Sequence, residues 1–344
     1  MHAQIESVRP GMTSNYLGED LIFIVSQPRS GSTLLQRVLS GHPDVQSSAE
    51  TWLMLHPMYG LRDRCIQTEY SSKWARAGTR EFLSYYTDGP DLYDDAIRAW
   101  AKVIYGNALQ RTGKRVFLDK TPRYYFIVPD LLRVFPNARF IFLIRNPMAV
   151  LASELSTYIK GNWRTLSDFR VDLVDAPALI LDGIEQAGPR AVRVQYESFV
   201  ADPEGQLEEL CGRLGLSHHP EMLEYSRTPP PKGRMADPVG IHRHSRPSTD
   251  SLERWKEMSE DPQACHFAQA YLQALGPETI ERMGYSFQAI SDALTHPGGA
   301  HRPQRLFPWE LAIQPQETWT LRERMLIKRL ELLQDKGPFR GSLS

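Results

Sequence analysis

A short apolar run, followed at once by a glycine-containing loop and then a helical pattern, most limits what this chain can fold into. Residues 21–25 read LIFIV, with no polar side chain. Such a run fits a strand buried on both faces, as in parallel sheets covered by helices. The next residues, Ser26-Gln27-Pro28-Arg29-Ser30-Gly31-Ser32, are turn formers. Residues 33–39 then place Leu34, Leu35, Val38 and Leu39 on one side of a helix, before Gly41, His42 and Pro43 stop it. The loop therefore sits at the carboxyl end of a strand and the amino end of a helix. Unpaired N–H groups and the positive end of the helix dipole favour an anion there. Gly31 allows close backbone approach. Ser30, Ser32 and Thr33 add hydroxyl donors, and Arg29 adds a forked charge suited to phosphate or sulfate oxygens.

The rest of the chain repeats the alternation. Residues 139–144 (RFIFLI) give the strongest second strand, with further strands expected over 116–118 and 191–196. Helices are expected over 93–109, 122–135, 148–160 and 203–214, the last closed by Gly215. This order predicts an α/β fold, a P-loop-like parallel sheet flanked by helices. The main domain is expected over 1–290, with its core at about 20–215. Residues 228–250 are rich in Pro, Arg and His and read as a long, lid-like loop. Residues 291–344 read as a linker and a charged helical extension over 321–333. That extension offers a docking element for a carrier protein or a multidomain assembly, although a simple packed terminal helix accounts for it more plainly.

Composition narrows the function. The 344 residues carry 40 basic and 41 acidic side chains, a net charge of −1. Without a basic excess, neither nucleic acid nor a membrane surface is expected as a partner. Cys65, Cys211 and Cys265 are far apart, in neither disulfide-like nor metal-like spacing, which fits a reducing compartment. The first twenty residues lack the apolar core of a secretory leader, and no apolar run is long enough to span a bilayer. The expectation is a soluble, cytoplasmic protein without a metal centre.

Two other readings of the first loop compete. Laid on the nucleotide triphosphate loop G-x-x-x-x-G-K-[ST], Ser26 replaces the first glycine and Ser32 replaces the lysine that contacts the terminal phosphates. An ordinary capped turn explains Ser and Gly but not Pro-Arg-Ser-Gly together. The loop resembles instead the 5′-phosphosulfate loop of sulfotransferases that use 3′-phosphoadenosine 5′-phosphosulfate (PAPS). A second stretch is similar to that family's 3′-phosphate segment. There Arg145 ends a strand and Ser153 follows eight residues later on the next helix. A third, Val194-Gln195-Tyr196-Glu197 followed by Asp202-Pro203, resembles the segment whose tyrosine lies against the adenine. The resemblance covers about residues 21–214.

The resemblance implies the sulfotransferase fold, PAPS as co-substrate, adenosine 3′,5′-bisphosphate as product, no metal, and a hydroxyl acceptor. It implies donor contacts from Arg29, Ser30, Gly31, Ser32, Thr33, Arg145, Ser153 and Tyr196. Many cytosolic members carry a histidine after a Lys-Thr pair, but here Lys120-Thr121 is followed by Pro122. This segment, with Gly41-His42-Pro43-Asp44-Val45 and then Glu50-Thr51, is closer to tyrosylprotein sulfotransferases. By that likeness Glu50 is the general base, Lys120 stabilises the bridging oxygen and Arg29 neutralises sulfate charge. His242 or His244 of the long loop are alternative bases. The acceptor stays open among a small molecule, a lipid, a glycan, a carrier-bound chain and a tyrosine. A non-catalytic phosphoadenosine-binding module and a kinase-like phosphotransferase are the competing functions.

Overall fold

The computed structural model describes residues 16–62, 70–86, 88–160, 166, 168–227, 245–295 and 320–325. Strand β1 (Leu21–Ser26) is buried at all six positions. Leu21, Phe23 and Val25 join one apolar cluster, while Ile22 and Ile24 join a second. Successive side chains of a strand reach opposite faces. Two covered faces thus demand an unbroken apolar run, and this is why LIFIV shows no alternation.

The chain continues through α1 (Ser32–Ser40), β2 (Val45–Ser47), α2 (Leu55–Tyr59), α3 (Ser72–Ser84), α4 (Gly89–Thr112) and β3 (Val116–Lys120). Then come α5 (Val128–Val134), β4 (Arg139–Ile144), α6 (Pro147–Glu154), α7 (Ala176–Ala187) and β5 (Ala191–Gln195). Helices α8 (Tyr196–Ala201), α9 (Pro203–Leu214), α10 (Pro262–Arg282) and α11 (Phe287–Ala293) complete the described body. The five strands pair in the order β2-β3-β1-β4-β5, every pair parallel. β3 and β4 flank β1 on opposite sides, so the carboxyl end of β1 lies where ligands of open α/β sheets bind.

The strands and helices expected between residues 21 and 214 are present, with informative differences. β2 is only three residues long, too short to leave a periodic signal. The helix expected over 122–135 divides into a 3-10 turn, Pro122–Phe126, and α5. Pro129 stands in the first turn of α5, where its missing N–H is harmless, but it cannot extend a helix arriving from upstream. The helix expected over 148–160 ends as α-helix at Glu154 and continues as a π-helical turn, Leu155–Ile159, closed by Lys160 at φ 44°. A π turn adds a residue to the winding. It carries Thr157 and Tyr158, both of which contact Arg29.

A third apolar cluster holds α6 against α10 and α11 through Met148, Leu151, Phe267, Tyr271 and Ile290. Among the described residues no helix is long and apolar enough to cross a membrane. Cys211 and Cys265 are free and buried. Cys65, the segment 228–244 with His242 and His244, and most of the C-terminal extension lie outside the described residues.

Candidate active site

The loop after β1 is shaped by its backbone. Gly31 has φ 90°, a conformation that strains any side chain. A Cβ there would come within 2.4 Å of Tyr196 Cε2. Glycine is thus required twice, for its torsion and for the aromatic ring packed beneath it. Leu35 N–H donates to Gly31 O at 3.1 Å, so the first turn of α1 begins at the loop. The N–H groups of that turn have no intrahelical acceptor. Ser30 Oγ is buried and has no hydrogen-bond partner. A buried hydroxyl without a partner costs about 1–3 kcal/mol unless something accepts or donates to it. An anion in the loop would satisfy it.

Arg145 leaves β4 beside this loop and is nearly buried. One of its terminal nitrogens donates to Arg29 O at 2.9 Å and the other to Ser251 Oγ at 3.3 Å. Its guanidinium lies 4.3 Å over the Tyr196 ring. Its Nε has no partner, and burial pushes its pKa below the usual arginine range. A desolvated cation of this kind is stabilised by an incoming anion. Arg29 Nε donates to Ser153 Oγ at 3.1 Å, and a terminal nitrogen reaches Thr157 Oγ1 at 3.4 Å. Arg29 also lies 5.5 Å from the Tyr158 ring centroid. The guanidinium of Arg29 therefore rests at the Arg145–Ser153 end of the loop, although its backbone belongs to the loop itself. The two arginines thus meet at this end of the loop.

The other end of the loop meets Lys120 and Glu50. Lys120 closes β3 and is 2% exposed, yet its Nζ donates to Glu50 Oε1 at 2.8 Å and to Thr33 Oγ1 at 3.4 Å. Trp52 Nε1 donates to Glu50 Oε2 at 3.3 Å. One ammonium thus joins the anion loop to a carboxylate whose second oxygen is also held. Arg123, 5.9 Å from the Trp52 ring centroid, pairs with Asp172 through two hydrogen bonds.

Beside Ser153, Glu154 is fully buried and neither of its oxygens has a hydrogen-bond partner. Desolvation pushes its pKa up to about 8; Arg29 opposes the shift, Asp172 adds to it, and Arg123 opposes it. The folded protein thus holds the proton while the unfolded chain releases it near the ordinary value of 4.5. Stability contributed by protonated Glu154 is complete below pH 4.5 and declines as pH rises towards 8, by up to roughly 1.4 kcal/mol per pH unit. Glu154→Gln removes this slope. In denaturant melts, its stability relative to the parent protein should rise between pH 4.5 and pH 8. A constant difference across that window would show that Glu154 is ionised throughout.

Of the site residues expected from the sequence, Arg29, Arg145 and Ser153 meet at one end of the loop, Thr33, Lys120 and Glu50 meet at the other, Gly31 packs on Tyr196, and Ser30 and Ser32 belong to the loop itself. Tyr196 opens α8 rather than ending the strand, and it supports Gly31 and Arg145 from below. Sequence reading missed Ser251, whose hydroxyl touches both Arg145 and Tyr196 Oη. It missed Thr157 and Tyr158, hidden by the π turn, and gave Glu197 no role of its own. The Glu197 carboxylate accepts from Asn146 N–H at 2.9 Å and Tyr285 Oη at 2.7 Å, which fixes the turn after Arg145.

Two arginines, a glycine loop at a helix N-terminus and a Lys–Glu pair thus stand at the carboxyl end of the parallel sheet of an α/β protein. The sequence profile of the sulfotransferase family matches residues 20–220, and the chain belongs to that family. Nodulation protein NoeE of Sinorhizobium fredii is 35% identical over 139 residues, 40% of this chain and 32% of NoeE. Protein-tyrosine sulfotransferase A of Caenorhabditis elegans is 27% identical over 214 residues, 60% of this chain and 52% of the relative. The chain thus spans about a third and about half of these two proteins. Among solved structures, the sulfotransferase domain from the curacin biosynthetic pathway aligns with a TM-score of 0.48 at 24% identity, covering 68% of this chain and 89% of that domain.

Proposed function

We propose that the chain transfers a sulfuryl group from PAPS to a hydroxyl acceptor, with Glu50 as general base. The observation that carries this reading is the Lys120 ammonium held between Thr33 of the anion loop and Glu50. It stands where a donor phosphate would meet an acceptor hydroxyl. The loop from Ser30 to Thr33 takes the 5′-phosphosulfate through N–H groups and hydroxyls. Arg145 and Ser153 take the 3′-phosphate. Arg29, with its backbone in the loop and its guanidinium on Ser153, neutralises donor charge along the loop. The buried Ser30 Oγ and Arg145 Nε, both without partners, fit such a ligand.

In the reaction Glu50 removes the acceptor proton as the acceptor oxygen attacks sulfur. The sulfur–oxygen bond to the 5′-phosphate breaks in line, and Lys120 balances the charge growing on that leaving oxygen. The acceptor belongs to the class of small-molecule, lipid, glycan, carrier-bound or tyrosine hydroxyls. The tyrosine sulfotransferase relative supports a phenolic hydroxyl as one member of that class. The cytoplasm as the site of action and docking through the C-terminal extension belong to this same reading.

The test is incubation with PAPS and a panel of hydroxyl compounds, with products read by mass. A sulfate ester should form, and it should form equally in excess chelator. Phosphorylated product from ATP, lost in chelator and restored by Mg²⁺, would mark a phosphotransferase instead.

A further inference from the structure

The placement of Glu50 traces back to a different carboxylate. Asp119 precedes Lys120 on β3, and consecutive strand residues face opposite sides of the sheet. Lys120 meets Thr33 of α1, whereas Asp119 is buried against α4. Asp119 accepts hydrogen bonds from Tyr105 Oη at 2.6 Å and Tyr124 Oη at 2.9 Å. Thr51 Oγ1 lies 2.9 and 2.8 Å from its two oxygens, and Thr121 Oγ1 lies 3.4 Å from Oδ1.

Three of these four hydroxyls in turn accept backbone N–H groups from the residues after Glu50. Trp52 N–H donates to Thr121 Oγ1 at 3.1 Å, Leu53 N–H to Thr51 Oγ1 at 3.2 Å, and Met54 N–H to Tyr124 Oη at 3.2 Å. Three successive amides are thus tied, each through one hydroxyl, to a single buried carboxylate. Within that stretch Trp52 has φ 54°, a left-handed torsion that a tryptophan adopts only when its surroundings enforce it. The indole of Trp52 donates to Glu50 Oε2.

We propose that Asp119 is a positioning residue for the reaction: through Thr51, Thr121 and Tyr124 it holds the strained Trp52 turn and so aims Glu50 at Lys120. This rests on Glu50 being the base. A carboxylate that accepts from several hydroxyls directs all their protons inward and turns their lone pairs towards the backbone amides. An amide in its place presents two donors, which the hydroxyls meet only by reversing. The loop would then lose its anchors while the donor loop on the other face of β3 keeps its own.

The test is a double-mutant cycle on kcat with adenosine 3′,5′-bisphosphate binding measured alongside. Asp119→Asn should lower kcat by roughly 10-fold or more, because a base displaced by a fraction of an ångström loses its reach. In the Glu50→Gln background the same change should cost less than about 2-fold, since a residue acting through Glu50 has nothing left to act upon. Nucleotide affinity should stay within about 2-fold in all four proteins. Thr51→Val should follow the same cycle with a smaller change to the core, and Thr51→Ser should restore the rate. If Asp119→Asn and Thr51→Val each cost the same factor in both backgrounds, the network supports the fold rather than the base, and the proposal is overturned. If Glu50→Gln alone keeps full turnover, the base assignment itself is wrong and the proposal falls with it, by a result visible without touching Asp119.

Discussion

Glu50→Gln lowers kcat by about 10²- to 10⁴-fold, the usual contribution of a positioned general base, and leaves nucleotide binding unchanged. The amide keeps the shape of the side chain, and its one oxygen can still accept from Lys120 Nζ, although its NH2 group cannot accept from Trp52 Nε1 as Glu50 Oε2 does. It also loses the capacity to take a proton. Turnover with saturating PAPS and acceptor, together with calorimetric binding of adenosine 3′,5′-bisphosphate, separates these effects. A Glu50→Gln protein with wild-type kcat would move the base elsewhere, and His242 and His244 would be the next residues to replace.

The second large effect belongs to Lys120. Replacing it with alanine should reduce kcat by about 10²-fold or more, because a preorganised charge on a leaving oxygen acts in a site already shielded from water. Its side chain is 2% exposed and its ammonium is bonded to Thr33 and Glu50, so the charge is fixed before substrate arrives. The loss should appear in kcat rather than in donor affinity, since Arg29, Arg145 and Ser153 lie at the opposite end of the loop. Steady-state kinetics on Lys120→Ala checks this. A change confined to KM for PAPS would make Lys120 a binding residue.

Much of this site was readable from the sequence because its parts are local. An apolar strand, a Pro-Arg-Ser-Gly loop and a helix are contiguous, and so are RFIFLI, Arg145 and the helix bearing Ser153. Parallel β-pairing brings such segments together without further information, since carboxyl ends of parallel strands lie on one edge. What remained hidden depended on contacts between distant residues. Ser251 lies 106 positions from Arg145, and nothing in its local pattern marks it. The π turn that delivers Thr157 and Tyr158 to Arg29 has the same apolar spacing as ordinary helix. The direction of the Arg29 side chain, towards Ser153 rather than Lys120, is likewise a tertiary fact. The hydroxyl network of Asp119 draws on α4, the Pro122–Phe126 turn and the loop before α2, so no single stretch shows it.

The proposed reaction needs one nucleotide bridging two anion sites at the carboxyl edge of the sheet. A crystal structure with adenosine 3′,5′-bisphosphate tests this most directly. One phosphate should lie against the N–H groups and hydroxyls of Ser30 to Thr33, and the other against Arg145 and Ser153. A nucleotide seated elsewhere, or one that leaves either site facing solvent, would contradict it.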